Sequence, residues 1–383
     1  MQFSIVGNQS NNFDSLKSNT INAKEIYCSS VYSNNFLTPF QYQGIPRYSV
    51  NITSLNTPGT SWKFRGGVLA PNGKIYLIPD GANYVPIIDP VNNTIDNISI
   101  TLSTTGNREG GVLAPNGKIY CPPRTSGTNN ILVIDTNTNT TSTIYSILGG
   151  YSGAVLGIDK KIYCIPSDTN IIAVIDPSND TVDTTSFTPL ASTGWAGGVL
   201  APNGKIYGMP FNNNNVLIID TVAKTTNTTT ITGVGGGSSY WGGCLAQNGK
   251  IYSPPCFSKN TILVIDPSND TTATINVAAY GYGVSQGRGW IGGTLAQDGY
   301  IYIFPVDWPH NTVLVIDPTT NTVVTTFTLG FTDTASNYHF FGGVLAPNGR
   351  IYGCPTNKTI VPIVNTGLPN LQPWMLQAYF NKF

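Results

Sequence analysis

One position in the chain carries, seven times, a side chain suited to contacting a ligand. Six of these residues are aromatic and the seventh is arginine: Phe64, Arg108, Tyr151, Trp195, Tyr240, Trp290 and Phe340. An aromatic ring can stack on the C–H face of a sugar, while the neighbouring Asn- and Thr-rich loops supply amide and hydroxyl partners. The pattern therefore predicts a ligand-binding surface. Because a repeated position often reflects repeated packing, rings wedged between structural units are the alternative interpretation.

Residues typical of catalytic and metal sites are scarce. The chain has two histidines, His310 and His339, and contains no H-E-x-x-H motif and no phosphate-binding glycine loop. Three loop carboxylates, Asp80, Asp168 and Asp307, are the remaining acid/base candidates, and nothing in the sequence brings them together. We therefore expect a protein with no enzymatic activity, no cofactor and no metal.

The aromatic position stands two residues before a pair of small residues that marks an internal repeat. The pair begins at Gly66, Gly110, Gly153, Gly197, Gly242, Gly292 and Gly342. Each copy continues with a short apolar segment, a tight turn such as PNG, an Ile-Tyr segment ending in proline, a run such as ILVID and a Thr-rich segment. Four short strands at a spacing of 43 to 50 residues are typical of a β-propeller blade.

The last copy lacks a fourth strand, and a candidate for it precedes the first copy. Residues 47–56, RYSVNITSLN, have the composition of the missing strand. We predict an all-β fold, a seven-bladed β-propeller of four-stranded blades in which this N-terminal strand completes the seventh blade. Pairing of the N-terminal strand with the last blade closes the ring and leaves no free sheet edge between the first and last blades. The predicted domains are an N-terminal attachment segment (1–46), the propeller (47–368) and a C-terminal tail (369–383).

The sequence VLVIDPTTNTVVTTFTLG, residues 313–330, followed after a loop by GGVLAPNGRIY, resembles the repeat of YVTN-type β-propellers. That family occurs in prokaryotic surface-layer proteins and their relatives. The resemblance covers residues 47–367, although the second strand here reads IYxxP where the family has its name tetrapeptide. It implies surface display and adhesion, and its motif carries no catalytic residue.

Charged residues are predicted to cancel on one face of the propeller. Turns between strands one and two and between strands three and four lie on this face, here called the turn face; the remaining loops lie on the other, the loop face. Second strands begin near Lys74, Lys118, Lys161, Lys205, Lys250 and Arg350, and third strands end in Asp89, Asp135, Asp176, Asp220, Asp266 and Asp317. Solvated pairs are expected, and a charged ring for an anionic partner is the alternative.

Charge is otherwise low and balanced. The 383 residues include 19 basic and 19 acidic side chains, and charged residues make up 10% of the chain, against roughly 25% in typical soluble domains. No basic face is available for phosphate neutralisation, so we expect no nucleic-acid partner. The N-terminal residues show no signal-peptide pattern, and no apolar run is long enough for a membrane span.

Six cysteines lack the spacing of metal ligands and do not form a disulfide framework: Cys28, Cys121, Cys164, Cys244, Cys256 and Cys354. Equivalent positions in neighbouring copies are usually too far apart to bridge. We predict buried free thiols.

These features favour a non-enzymatic structural or attachment protein on the surface of a virion, fibre or other extracellular particle. Residues 1–46 are polar and without a strong period, and we expect them to bind other structural proteins of an assembly. The propeller would engage partners, glycans among them. The alternatives are a stand-alone glycan-binding propeller and, third, a propeller enzyme.

Overall fold

A computed structural model describes residues 49–366 except 53–54, 60–61, 126, 146, 281–288, 307–310 and 331–338. The predicted attachment segment (1–46) and C-terminal tail (369–383) lie outside the described residues, so both remain predictions.

Within these described ranges, twenty-eight strands form seven antiparallel four-stranded sheets, which are the blades of a propeller. Blades 1 to 4 contain β2 (Phe64–Leu69), β3 (Ile75–Pro79), β4 (Ile87–Asp89) and β5 (Thr94–Asp96); β6 (Val112–Leu113), β7 (Lys118–Cys121), β8 (Asn130–Asp135) and β9 (Thr140–Tyr145); β10 (Tyr151–Leu156), β11 (Ile162–Pro166), β12 (Val174–Asp176) and β13 (Thr181–Asp183); β14 (Trp195–Leu200), β15 (Lys205–Pro210), β16 (Leu217–Asp220) and β17 (Thr225–Asn227).

Blades 5 to 7 follow the same order, with a short 3-10 helix (Ala278–Tyr280) after blade 5. They contain β18 (Cys244–Leu245), β19 (Ile251–Ser253), β20 (Thr261–Asp266) and β21 (Thr271–Asn276); β22 (Trp290–Leu295), β23 (Ile301–Pro305), β24 (Thr312–Asp317) and β25 (Thr322–Thr328); β26 (Phe340–Leu345), β27 (Arg350–Pro355), β28 (Ile363–Asn365) and β1 (Ser49–Asn51). The predicted seven-bladed fold is confirmed. Within the described ranges, no helix is long and apolar enough to cross a membrane.

The N-terminal strand completes the last blade, as predicted. β1 pairs with β28 in antiparallel register, with Ser49 opposite Asn365, and Asn56 forms a further bridge with Ile360. Lys63 reinforces the joint: its Nζ donates to Thr57 Oγ1 (2.9 Å) and to the carbonyl of Lys358 in blade 7 (2.7 Å). The ring is therefore closed by strand pairing and by the hydrogen bonds of the buried Lys63 side chain.

The hydrophobic core lies between the blades. Seven apolar clusters each join two neighbouring sheets; in one, Ile78 and Val85 of blade 1 pack with Cys121 and Leu132 of blade 2. The cluster between blades 7 and 1 includes Phe64 and Val361. A single blade would leave both faces of its sheet in water, so the blades stabilise one another by mutual burial.

On the turn face, a repeated tyrosine of blades 1 to 5 bonds to the next blade. In blade 4, the Tyr207 hydroxyl donates to Asp270 of blade 5 (2.5 Å) and accepts from Asn203 Nδ2 (2.9 Å). Asn203 also donates to the carbonyl of Pro267 (2.8 Å). Asn348 makes the same kind of bond from blade 7 to Pro90 of blade 1 (2.9 Å). The NGKIY motif therefore carries contacts between blades as well as a turn.

The first residue of each small pair is a glycine with positive φ, from 61° at Gly292 to 91° at Gly66. An L side chain is strained in this conformation, which lies at a register shift in the innermost strand of most blades. Space near the axis is also limited, because a Cβ on Gly197 would lie 2.8 Å from the Cα of Gly242 in the next blade. The first residue of the pair is therefore glycine for two reasons: its backbone has positive φ, and the space beside it near the axis is small.

Candidate functional site at the axial end of the loop face

The structure buries the seven side chains predicted to contact a ligand. Each is at most 4% exposed: Phe64, Arg108, Tyr151, Trp195, Tyr240, Trp290 and Phe340. The two indole N–H groups bond to backbone at or just before the third strand: Trp195 Nε1 donates to the carbonyl of Asn215 (2.7 Å) and Trp290 Nε1 to that of Thr312 (3.0 Å). Direct stacking on a ligand would require exposed rings. The burial is what the packing interpretation requires, and we assign these residues to packing between blades.

Arg108 occupies the same buried position with a charged group. It donates through Nη1 to the carbonyl of Asn107 (3.3 Å) and through Nη2 to Asn130 Oδ1. Burial lowers its pKa from the usual value. This guanidinium therefore replaces an aromatic ring in the gap between blades.

The residues immediately before the small pairs form a different set around the axis. They are Arg65, Glu109, Ser152, Ala196, Trp241, Ile291 and Phe341. Backbone bonds fix their places: the carbonyl of Arg65 accepts from Gly110 (2.9 Å), and that of Trp241 accepts from Gly292 (3.0 Å). The charged and hydroxyl residues come from blades 1 to 3, and the large apolar ones from blades 5 to 7. The axial end of the loop face is therefore asymmetric.

Arg65 is the centre of a buried ionic network. Its Nε donates to Asp80 Oδ2 (2.8 Å) and its Nη1 to Glu109 Oε2 (2.9 Å). Arg124 donates through Nε (3.1 Å) and Nη2 (3.0 Å) to Asp80 Oδ1. Ser152 Oγ bonds to Glu109 Oε1. Removing one member of such a network leaves an uncompensated buried charge, so its geometry is strongly constrained.

Aromatic rings surround Arg65. Its guanidinium carbon lies 5.0 Å from the ring centroid of Trp62, 5.4 Å from that of Phe341 and 5.8 Å from that of Trp241. Trp241 reaches across the axis from blade 5, where its Nε1 donates to Glu109 Oε1 of blade 2 (3.0 Å). A guanidinium group that lies over an aromatic face is attracted by the ring electrons, and tryptophan gives the strongest such contact.

The ring cluster extends outward from Trp241 towards the surface. The Phe211 ring centroid lies 4.7 Å from that of Trp241 and 6.1 Å from that of Phe257, and all three side chains are half-buried. We call the whole set the axial cluster: Trp62, Arg65, Asp80, Glu109, Arg124, Ser152, Phe211, Trp241, Phe257 and Phe341.

Trp62 is the most exposed ring of the axial cluster, at 36%. Its backbone has φ 47°, a left-handed conformation that is uncommon for a bulky residue. Two contacts hold it there: its N–H bonds to Asn357 Oδ1, and its carbonyl accepts from the N–H of Gly81 (2.6 Å). The loop thus holds an indole ring at the surface above a buried cation.

Other residues considered from the sequence lie elsewhere. The Asp168 amide bonds to the carbonyl of Gly150 (2.9 Å), whereas Asp307 and His310 lie outside the described residues. His339 is buried beside Phe340. On the turn face, Lys–Asp pairs join second and third strands, for example Lys161 to Asp176 (3.1 Å). These exposed pairs cancel as expected and contribute little stability.

The axial cluster was only partly visible in the sequence. Trp62, Trp241 and Phe341 stand within two residues of the repeated aromatic position in the chain, but nothing in the sequence pairs Arg65 with Glu109. A usable signal was present: the residue before the small pair changes from blade to blade within an otherwise regular repeat. In the part of the chain that the structure describes, no three His, Cys, Asp or Glu side chains are grouped as metal ligands.

Comparison with known proteins supports the fold and leaves the activity open. No protein-family model matches the sequence, and neither does any curated protein. Among solved structures, the streptogramin B lyase structure is similar with a TM-score of 0.65 at 13% identity, covering 83% of this chain and 97% of that one.

Two further similar structures differ from the lyase in function. Hydrazine synthase from Kuenenia stuttgartiensis has a TM-score of 0.60 at 13% identity, covering 81% of this chain and 97% of that chain. The WD40 β-propeller domain of Doa1 has a TM-score of 0.59 at 12% identity, covering 83% and 97%. At such identities the similarity extends to the fold, and the chain is a seven-bladed β-propeller whose structural neighbours have varied functions.

Proposed function

We propose that this protein is a non-enzymatic attachment protein, displayed on the surface of a virion, fibre or other extracellular particle, that binds its partner through the axial cluster. The observation that carries the proposal is a half-exposed group of aromatic rings around Arg65 at one end of the axis. Aromatic and arginine side chains are enriched where binding energy is concentrated in protein interfaces. The YVTN-type resemblance of the repeat agrees with surface display.

The chemistry of the network favours binding over acid/base catalysis. Each carboxylate oxygen of Asp80 and Glu109 accepts at least one hydrogen bond from Arg65, Arg124, Ser152 or Trp241. A general base needs an oxygen within reach of the substrate proton. Here the oxygens are already occupied, so they hold the arginines in place.

The binding role is tested by glycan-array binding of the full chain and of Trp62→Asn. Asparagine tolerates the left-handed conformation, so this change removes the ring with little backbone cost. We expect the variant to lose most binding while keeping its melting temperature. Val222→Ala, at an exposed turn-face residue, is the matched control and should bind like the wild type. Equal binding by wild type and Trp62→Asn would exclude the axial cluster as the contact surface.

Display on a particle requires the attachment segment. A stand-alone glycan-binding propeller, the alternative, would use the same axial cluster but would not need residues 1–46 for incorporation into an assembly. Immunogold labelling of particles carrying the full chain or the chain lacking residues 1–46 separates the two. Label that is lost with the truncation supports attachment, and label or glycan binding that is independent of it supports the alternative.

A further inference from the structure

The axial cluster presents positive charge to solvent even though its ionic groups balance. Arg65 and Arg124 face two carboxylates, Asp80 and Glu109. The side chains of Asp80 and Glu109 are only 1% and 4% exposed, whereas that of Arg124 is 31% exposed. A ligand approaching the loop face therefore meets a guanidinium group before it meets a carboxylate. The next cation along the chain from Trp62, Lys63, adds a buried positive charge in this sector.

The Arg124 guanidinium binds Asp80 through one edge, and its other edge is available to bind a ligand. Its Nε and Nη2 both donate to a single atom, Asp80 Oδ1, and its Nη1 bonds to no residue that the structure describes. Its backbone N–H is fixed by the carbonyl of Asn107 (3.0 Å). Asp80 is itself held by its ion pair with Arg65 and by the hydrogen bond that its backbone N–H donates to the carbonyl of Lys63 (2.8 Å). The guanidinium is thus pre-oriented, which lowers the entropic cost of binding an anion.

An exposed aromatic ring is connected to this guanidinium through two consecutive residues. Trp62 and Arg124 are linked through Asp80 and the adjacent Gly81, because Asp80 bonds to Arg124 while Gly81 bonds to the carbonyl of Trp62. Asn357, which accepts from the Trp62 N–H, places a side-chain amide at the same loop. An exposed indole, an amide and a fixed guanidinium match the C–H face, a hydroxyl and a carboxylate of an acidic sugar.

We propose that the sector formed by Trp62, Arg124 and Asn357 binds a carboxylate-bearing saccharide, with the carboxylate on Arg124 and the pyranose ring on Trp62. This assignment rests on the binding function proposed above and specifies its ligand. One pre-oriented guanidinium and one exposed indole, connected through Asp80 and Gly81, fit one acidic sugar better than an extended acidic peptide, which would need a longer row of cations.

The test uses an array on which each carboxylate-bearing oligosaccharide stands beside its carboxyl-reduced counterpart. We expect the full wild-type chain to prefer the acidic member of at least one pair by tenfold or more, with binding that weakens as salt increases. Arg124→Gln should reduce that preference to near unity, and Arg124→Lys should retain part of it because the charge remains. Lys161→Gln on the turn face is the control and should behave like the wild type.

The outcomes separate this inference from the broader function. Equal binding of acidic and reduced members, abolished by Trp62→Asn, would overturn the carboxylate assignment and leave the binding function standing. Binding of a poly-glutamate peptide with no glycan signal would overturn the saccharide assignment. If neither probe binds, the proposed function and this inference fail together. Circular dichroism melting of Arg124→Gln shows whether a lost preference reflects the site or unfolding, and Arg124→Lys decides the case if that variant does not fold.

Discussion

Burial determines the chemistry of the described cysteines. Cys121, Cys164, Cys244, Cys256 and Cys354 are free and buried, as the sequence predicted, and Cys28 lies outside the described residues. Burial raises the pKa of the Cys121, Cys244 and Cys354 thiols to about 12. At pH 8, only about one in ten thousand of the side chains at each of these positions would be in the reactive thiolate form.

We therefore expect these thiols to react with a thiol-specific chromogenic reagent only as the protein unfolds. In the native protein at pH 8, no thiol other than that of Cys28 should react with the reagent. The five buried thiols should react once denaturant unfolds the protein. A Cys28→Ser variant is the control, and it should be silent until unfolding. Rapid labelling of two or more thiols in that native variant would contradict the described burial.

Uniform and variable positions of the repeat have different roles at the residue scale. The position of Trp195 and Trp290 is uniform because every gap between blades needs a large side chain, so its regularity predicted packing as readily as binding. The position of Arg65 and Glu109 varies because neighbouring blades contribute unlike groups to one axial cluster. The uniform position is evident in the sequence, whereas the pairing of Arg65 with Asp80 and of Trp241 with Glu109 is not, since those contacts depend on the closed ring.

At the scale of elements, the innermost strands depend on their glycines for two separable reasons. Gly197 and Gly342 hold the same repeat position with φ 69° and 74°. A Cβ on Gly197 would lie 2.8 Å from a neighbouring backbone atom, while the nearest atom to a Cβ on Gly342 is 4.0 Å away. The two sites therefore share the conformational strain and differ in crowding.

Replacing each glycine by alanine separates these costs. Gly342→Ala should destabilise the fold by about 1 to 2 kcal/mol, the cost of a left-handed L residue. Gly197→Ala should cost about 1 to 3 kcal/mol more, because the backbone of blades 4 and 5 must move apart. Urea unfolding of both variants measures the difference. Equal losses would mean that the ring relaxes freely at its axis and that crowding does not restrict this position.

The blade was the element most readily predicted from sequence. Turn chemistry placed the hairpins correctly, since Asn72 Oδ1 accepts from the N–H of Lys74 and Gly73 adopts φ 77°. The sequence did not reveal that the innermost strands begin two residues earlier, at residues such as Phe64. That extension depends on pairing across a register shift, Phe64 with Pro79, which the local pattern does not encode.

For the whole molecule, ring closure through β1 sets the extent of chain that is needed for folding. Removing residues 1–46 should leave the melting temperature nearly unchanged, because β1 is retained. Removing residues 1–56 should lower it markedly and promote association, because β28 would become an exposed sheet edge. Thermal melting and size-exclusion chromatography compare the two. A stable monomer from the shorter chain would show that β1 is dispensable for closure.

The whole ring should also be sensitive to alkali through its tyrosines. Burial is the largest cause of the raised pKa of Tyr120, Tyr163, Tyr207 and Tyr252. The folded state therefore keeps protons that the unfolded chain releases near pH 10. The associated stability is complete below about pH 10 and is lost above it as the unfolded state gains from ionisation.

Urea unfolding across this range should show a free energy of unfolding that falls steeply above about pH 10. Lys63 acts in the opposite direction between about pH 8 and 10.5, because burial lowers its pKa from 10.5 to about 8 and the folded state therefore gains stability as pH rises through that range. Tyr207→Phe, which cannot ionise, should show a shallower fall than wild type. Identical slopes would mean that this hydroxyl titrates in the folded protein as it does in water.

The pairing of Ser49 with Asn365 has a mechanical consequence. The start of β1 and the end of β28 lie side by side at one end of the same antiparallel pair. A force that pulls these two points apart would load one pair of hydrogen bonds at a time, as in opening a zipper, instead of shearing the whole pair at once. The propeller would therefore open at low tension from this joint, with the outermost strand of blade 7 detaching first.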